Sequence, residues 1–293
     1  MISNEAPYVS VVVPAHNAGA TITDCVTSLL ALDYPAQRLE YILVDNVSQD
    51  DTGRLLRRFG DAVRVLHEPV RGSGAARNRG IRAAEGGIVA MTDADCVVDK
   101  GWLRALAPAL VDPMVGAAGG CVTAWSPRNR IAVYGDRIHD HDQAINQSRP
   151  PYLMGANWAS RRDVLQQVGL FDASFLRQQD VDLSFRILQA GYRFTYVASA
   201  IVRHRNQETL RGLWAEGFRH GLHSVKTLKQ HGTMLNRYGF RRFHWRSWLK
   251  IGRSSLTMWR EGQPVDALCH LVFNAGKKAG KLAGSVRYGY PTL

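Results

Sequence analysis

Two aspartates, Asp93 and Asp95, close the apolar run Ile88-Val89-Ala90-Met91, with one alanine between them. Read as strand residues, positions i and i+2 share a face. Two carboxylates side by side repel unless something positive lies between them. Asp45 closes a second apolar run, "LEYILVD", and His204 closes a third, "YVASAIVRH". "FLRQQDVDLSF" carries Gln179 and Asp180, with Asp182 two residues on. Asp180 is a carboxylate that could take a proton from an attacking hydroxyl or simply cap a helix. Asp182 reads as a charge in a helix N-terminal turn. The run His139-Asp140-His141-Asp142 contains metal-ligand types, but adjacent spacing in a polar loop is poor for one rigid site.

These residues need strand ends to hold them. "YVSVVVPAHN" predicts a buried strand, Val9 to Val13, stopped by Pro14. Ile22, Val26, Leu29 and Leu30 form one helical stripe after it. "LEYILVDN", "AVRVLHEP" and "GIVAMTDAD" follow as strands, with helices in "SQDDTGRLLRRFG" and "SGAARNRGIRAAEG" between them. Strands alternating with helices predict an α/β sheet, mostly parallel, with helices on both faces. In such sheets ligands sit beyond the carboxyl ends of the strands. Residues 126–151 read as a long polar connection, partly helical. No GxGxxG, GxxxxGK[ST] or GxSxG pattern stands after a strand, which excludes the dinucleotide, P-loop and serine-hydrolase readings.

The chain has 293 residues, 37 Lys/Arg and 25 Asp/Glu. From Ile201 onward there are 17 basic and 4 acidic residues, +13, leaving 20 and 21, −1, for the first 200. A basic segment rich in Trp214, Phe218, Trp245, Trp248 and Trp259 suits an anionic surface such as phospholipid headgroups. It lacks any RRM, KH or zinc-finger pattern, so no nucleic acid is expected. Four scattered cysteines without metal spacing predict buried thiols in a reducing compartment. The N-terminus has no signal-peptide pattern and no apolar run reaches about 18 residues. A cytoplasmic chain is expected, peripheral on the cytosolic face of the membrane where the tail engages it.

Taken together, "VSVVVPAHNAGATITDCVTSLL", "YILVDNVSQDDT", "GSGAARNRGI", "MTDADCVVDKGWL", "GANWASRRDVLQQVGLFD" and "QQDVDLSFRILQAGYRF" resemble, in order and spacing, the family-2 glycosyltransferases. The resemblance runs from Tyr8 to about His204. It implies a GT-A fold (Rossmann-like) over residues 1–206, a nucleotide-sugar donor, a divalent metal (Mn2+ or Mg2+) and an inverting transfer. The chemistry is consistent with this. Negative charge grows on a nucleoside diphosphate as the anomeric carbon departs, and a dication held by carboxylates neutralises it. Oxygen ligands with room for phosphate and water suit magnesium or manganese.

The resemblance also implies roles for individual residues. Asp95 binds the metal, and Asp93 reaches the ribose or the metal. Asp45 accepts the uracil ring N–H, or is only a turn-former in "DNVSQDD"; Pro14, Ala15 and Asn17 line the same pocket through backbone groups, Asn17 being otherwise a plain loop residue. One of Arg71, Arg77 and Arg79, near the third strand's end, contacts the diphosphate, the alternative for each being a solvated surface arginine. Gly155, Ala156 and Asn157 shape the donor-sugar and acceptor side; Trp158 stacks on a sugar or packs in the core. Asp180 is the catalytic base. Gln179 stands where the family carries Glu, which removes a negative neighbour, lowers the Asp180 pKa and alters acceptor contacts. His204 completes the metal shell or is structural.

The family's processive members carry a QxxRW motif and spanning helices, and this sequence has neither. A non-processive transfer of a UDP-linked sugar to a glycan or lipid-linked acceptor in cell-envelope synthesis is therefore expected. Residues 207–293 form a basic helical extension that associates with membrane or acceptor. The alternatives are a nucleotidyltransferase, disfavoured by the absence of lysine in "PAHNAGAT", and a non-catalytic sugar-nucleotide or membrane-binding protein.

Overall fold

A computed structural model describes residues 6–239 and 246–292; Trp245 and its neighbours from Phe240, Met1–Glu5 and Leu293 lie outside them. In chain order the elements are β1 (Val9–Ala15), α1 (Ile22–Leu30), β2 (Leu39–Asp45), α2 (Thr52–Arg57), β3 (Arg64–His67), α3 (Ser73–Ala83) and β4 (Ile88–Thr92). Then come β5 (Cys96–Val98), α4 (Trp102–Leu106), β6 (Val115–Ala124), α5 (Arg130–Ile138), β7 (Asn157–Arg161), α6 (Arg162–Gln167), α7 (Gln179–Gln189) and β8 (Arg193–His204). The remainder is helical: α8 (Leu210–Gln230), α9 (Gly232–Arg237), α10 (Arg246–Arg260) and α11 (Pro264–Tyr288).

The chain divides into two units. The first comprises Met1–Trp125 and His139–His204; the second comprises Ser126–Ile138 and Arg205–Leu293. In the first unit eight strands form one sheet in the order β3-β2-β1-β4-β7-β6-β8-β5. The pairs β1/β2, β1/β4, β2/β3 and β6/β8 are parallel, whereas β4/β7, β6/β7 and β5/β8 are antiparallel. The sheet is therefore mixed. Alternation along β1 explains the two cores. Val9, Val11, Val13 and Ala15 enter one cluster with Ile22, Val26 and Leu29 of α1, and Val12 enters the other with Ala76 of α3 and Leu183 of α7.

Two expectations are corrected. β1 continues through Pro14, which pairs with Val44, and only its ladder to β4 stops earlier, at Val12/Met91. Proline lacks an N–H, so it ends a ladder on one side without ending the strand. Leu30 is not part of the buried stripe of α1, being 41% exposed; Cys25 takes the inward position. β5, a three-residue strand directly after the aspartates, carries no periodic signal long enough to read from sequence.

In the second unit α8 and α11 pack backbone to backbone. A Cβ placed on Gly221 would run into the Lys277 carbonyl, and one on Gly280 into that of Phe218. The buried Asp266 of α11 is clamped by Arg130 of α5 through two hydrogen bonds of 2.9 and 3.0 Å.

Candidate active site

β4 ends at Thr92, so Asp93 lies past the strand and Asp95 sits in the turn to β5. The two carboxylates are therefore not neighbours on one strand face, as the i, i+2 reading expected. Each meets its own partner. Asp93 Oδ1 accepts a 2.5 Å hydrogen bond from Arg77 Nη2, and Asp95 Oδ2 lies 3.5 Å from His204 Nε2.

Arg77 reads from sequence as one of three arginines near a loop. Arg71 and Arg79 are exposed, but Arg77 is buried on the inner side of α3, 2% exposed. Its guanidinium lies 5.6 Å from the Phe171 ring centre. A Cβ on Gly155 would stand 2.7 Å from Arg77 Nη2, so the position beside Arg77 admits only glycine without displacement. Nε and Nη1 of Arg77 are buried without a partner among the described residues. Leaving donors of a buried cation unpaired costs free energy, a cost associated with sites built for an anion.

Asp180 lies in the first turn of α7, after Gln178, whose φ of +65° is left-handed. A non-glycine residue held there marks a locally over-determined backbone. Asp180 Oδ2 accepts the Gly155 N–H at 3.0 Å and Oδ1 accepts that of Val181 at 2.9 Å. Burial pushes its carboxyl above the ordinary value, Arg77 and the two amides oppose the shift, and the charge of Asp93 adds to it. The net direction is upward, against the lowering expected from Gln179. Gln179 points elsewhere: its Nε2 donates to Ser73 Oγ at 2.6 Å and joins α7 to the start of α3.

The strap before β7 fixes this geometry with three successive amides. Leu153 N–H donates to Ser184 Oγ at 2.9 Å, Met154 N–H to His141 Nε2 at 2.6 Å, and Gly155 N–H to Asp180. Ser184 in turn donates to the Asp180 carbonyl at 2.6 Å. His141 is buried, and its Nδ1 lies 2.9 Å from the Gly120 carbonyl. Both ring nitrogens are used, which fixes a neutral tautomer with Nδ1–H donating to Gly120. Burial pushes its pKa down to about 4. Sequence reasoning passed over His141 and Ser184; the signal for the first was its place in the run 139–142.

That run does not form one site. His141 holds the strap, whereas His139 meets the His204 ring at a tilt of 52°, ring centres 4.5 Å apart. Burial raises the Asp95 carboxyl, but the charge and hydrogen bond of His204, with His139 beyond, outweigh it and hold the pKa below the usual carboxylate value. Donor atoms of Asp95, Cys96 and His204 all lie within 4.8 Å of one another. Two donors at about 2.2 Å from one ion stand at most about 4.4 Å apart, so Asp95 and His204 fit a single hard dication. Cys96 fits less well: burial and the nearby aspartates keep its thiol protonated, and soft sulfur is a poor ligand for such an ion.

The nucleotide candidates lie on the same carboxyl edge. Ala15 pairs with Asp45, and the Ala15 carbonyl accepts the Asn46 N–H at 2.7 Å. Asp45 Oδ1 accepts the Ser48 N–H at 3.2 Å. Asn17 laces the two loops together, its N–H donating to Ser48 Oγ and its Oδ1 accepting the Gln49 N–H at 2.8 Å. Pro14 and Ala15 are buried, so only backbone groups could face a ligand there.

Of the sugar-side expectations, Asn157 is corrected and Trp158 takes the core-packing alternative. Trp158 is fully buried and meets Phe171 edge-on at 6.1 Å, so its ring belongs to the core. Asn157 is equally buried. Its Oδ1 accepts Trp102 Nε1–H at 2.8 Å, and its Nδ2 donates to the carbonyls of Cys121 at 2.7 Å and Ala200 at 2.9 Å. Both amide protons are committed to binding the sheet together. Ala156 is also buried; of the four, Gly155 touches the acidic cluster.

An acidic cluster beyond the carboxyl edge of a mixed sheet of this order defines a GT-A glycosyltransferase domain. The family model "Glycosyl transferase family 2" matches residues 10–169, more than half of the 293-residue chain. The chain belongs to that family and is a glycosyltransferase. It is 29% identical to the glycosyltransferase AglE of Haloferax volcanii over 213 residues, 69% of this chain and 68% of the relative. It is 31% identical to the pre-mycofactocin glycosyltransferase of Mycobacterium tuberculosis over 217 residues, 69% of this chain but 44% of that one. Among solved structures, the mannosyltransferase PcManGT of Pyrobaculum calidifontis, in complex with GDP-Man and Mn2+, superposes with a TM-score of 0.63 at 24% identity, covering 99% of this chain and 77% of that one. Residues 1–349 of S. aureus TarS with UDP-GlcNAc give 0.57 at 16% identity, covering 96% and 92%. These likenesses establish the fold.

Proposed function

We propose that this chain transfers a sugar from a nucleoside-diphosphate donor, a UDP-sugar, to an acceptor hydroxyl with inversion, and that Asp180 is the base. The observation that carries this reading is the half-buried Asp180 carboxyl, with its raised pKa, held by the Gly155 amide and balanced by the Arg77 charge that Asp93 shares. A raised pKa makes a carboxylate a better proton acceptor, and general bases of this kind contribute about 10²–10⁴-fold. Asp180 takes the acceptor proton as the acceptor oxygen attacks the anomeric carbon. The new carbon–oxygen bond forms as the bond to the diphosphate breaks, from the opposite face. Asp95 and His204 would hold Mn2+ or Mg2+, which when bound neutralises the departing diphosphate. Arg77, with two buried donors that meet no group among the described residues, orients Asp93 and favours the ionised form of Asp180. The loops of Asn17 and Asp45 receive the nucleotide, with Asp45 accepting the ring N–H. Arg71, exposed at the entrance to α3, is available to the diphosphate.

That two structural neighbours were solved with GDP-Man and UDP-GlcNAc supports a nucleotide-sugar donor, and Mn2+ in one supports the metal. The basic second unit favours a lipid-linked or glycan acceptor at an anionic, cytosolic membrane face. The test is a thermal-shift screen of nucleotide sugars with and without Mn2+, followed by turnover of the best donor. Asp180→Asn should keep donor binding and lose about 10²–10⁴ in turnover, and His204→Ala should weaken the Mn2+-dependent shift. Unchanged turnover in Asp180→Asn would refute the assignment of the base.

A further inference from the structure

α10 presents a face that the transfer chemistry does not use. Trp248, Leu249, Leu256 and Trp259 are each at least 50% exposed. At 3.6 residues per turn these four, with the exposed Gly252, fall within roughly 100° of the helix circumference. Lys250, Arg253 and Arg260, all exposed, occupy the next roughly 80°. The far side packs on α11, where Ser255 is buried and Ser247 Oγ accepts from Lys278 Nζ. The Lys278 ammonium stands 5.5 Å from the Trp248 ring centre and steadies it. The solvent side of this one helix is thus amphipathic in its own right, an aromatic and aliphatic strip bordered by cations.

Its sequence carries Arg246, Lys250, Arg253 and Arg260 and no acidic residue, a charge of +4. That charge decides among occupants. A second copy meeting the same face would set Lys250, Arg253 and Arg260 against the same three cations. A nucleic acid would neutralise the cations but leave two leucines with nothing to bury against. An anionic bilayer satisfies both halves: indole rings settle at the headgroup level, leucines enter the acyl boundary, and lysine and arginine reach the phosphates. With 15 residues, α10 is shorter than the about 20 residues a span requires, and among the described residues no helix is long and apolar enough to cross a membrane. An in-plane helix is what its length and pattern suit.

We propose that α10 is an interfacial membrane anchor that lies on anionic phospholipid through Trp248, Leu249, Leu256 and Trp259, with Lys250, Arg253 and Arg260 against the headgroups. The inference deepens the membrane-side acceptor reading above. The experiment is co-sedimentation of the full chain with phosphatidylglycerol-containing vesicles and with pure phosphatidylcholine vesicles, read together with tryptophan emission. Binding should be at least about tenfold tighter to the anionic vesicles, weaken with salt and shift emission to the blue. Trp248→Ser with Trp259→Ser, and separately Lys250→Glu with Arg253→Glu, should each lower it by about tenfold or more. If a double variant fails to fold, quenching of the wild-type tryptophans by brominated lipid provides the same readout. Equal binding to both vesicle types, wild-type binding by both variants, or loss of a self-associated oligomer on removing the tryptophans overturns the proposal. A nucleotide-sugar thermal shift run on the same preparations separates the outcomes: if it persists while vesicle binding is absent, only the anchor fails.

Discussion

Acidification should loosen the strap through His141 before it affects most of the core. The neutral ring donates from Nδ1 to the Gly120 carbonyl and accepts the Met154 N–H at Nε2. A second ring proton would have to face that N–H inside a buried site. Burial sets the direction of the shift, which the Gly120 carbonyl and Asp140 oppose, and the pKa falls from 6.5 to about 4. The unfolded chain therefore binds a proton that the folded chain refuses between those values. Stability from the neutral ring is complete above about pH 6.5, declines as pH falls, and is fully lost below about pH 4. A shift of this size is worth on the order of 3 kcal/mol, of which about 2.5 kcal/mol would be gone by about pH 4.5. Urea unfolding of the wild type and of His141→Gln, at steps from about pH 7.5 to about 4.5, measures it as a difference in which the other titrating groups cancel. The wild type should lose about 2.5 kcal/mol more than the variant across that range. Parallel losses within about 0.5 kcal/mol would refute the reasoning, as would an NMR titration of His141 with a midpoint near its unfolded value.

Two further outcomes follow from the same cluster. Gly155→Ala should destabilise by about 1–3 kcal/mol, because its Cβ would stand 2.7 Å from Arg77 Nη2 and force the guanidinium off Asp93; chemical denaturation with donor turnover reads both effects. Arg77→Met removes the cation that holds the Asp180 pKa down, so the acid limb of the pH–rate profile should move to higher pH; an unmoved limb would show that Arg77 does not act on the base.

How far the sequence could be read depended on whether the signal was local. β1, β2 and β4 are continuous apolar runs, and the helices between them show their period, so the sheet and its functional edge were legible. Pairing was not. Asn157 was misread, and Trp158 left open between sugar and core, because β7 lies inside the sheet, between β4 and β6, where both faces are covered; a short run gives no indication of which strand is central. Arg77 looked like a surface arginine because a helix position faces inward only relative to a partner, here Phe171 and Gly155. Leu153 and Ser184 are 31 residues apart, and no local pattern joins them. The paired aspartates were found, but their shared strand face was not real, since β4 ends one residue before Asp93.

The strap from Leu153 to Gly155 works as a three-pronged latch, each prong caught by a different receptor. A one-residue slip would release all three at once, so intermediate positions are not available to it. Inserting or deleting a residue between Pro151 and Gly155 should therefore abolish turnover outright rather than grade it. Engineers seeking new acceptors would do better to vary exposed loops and leave this segment at its native length.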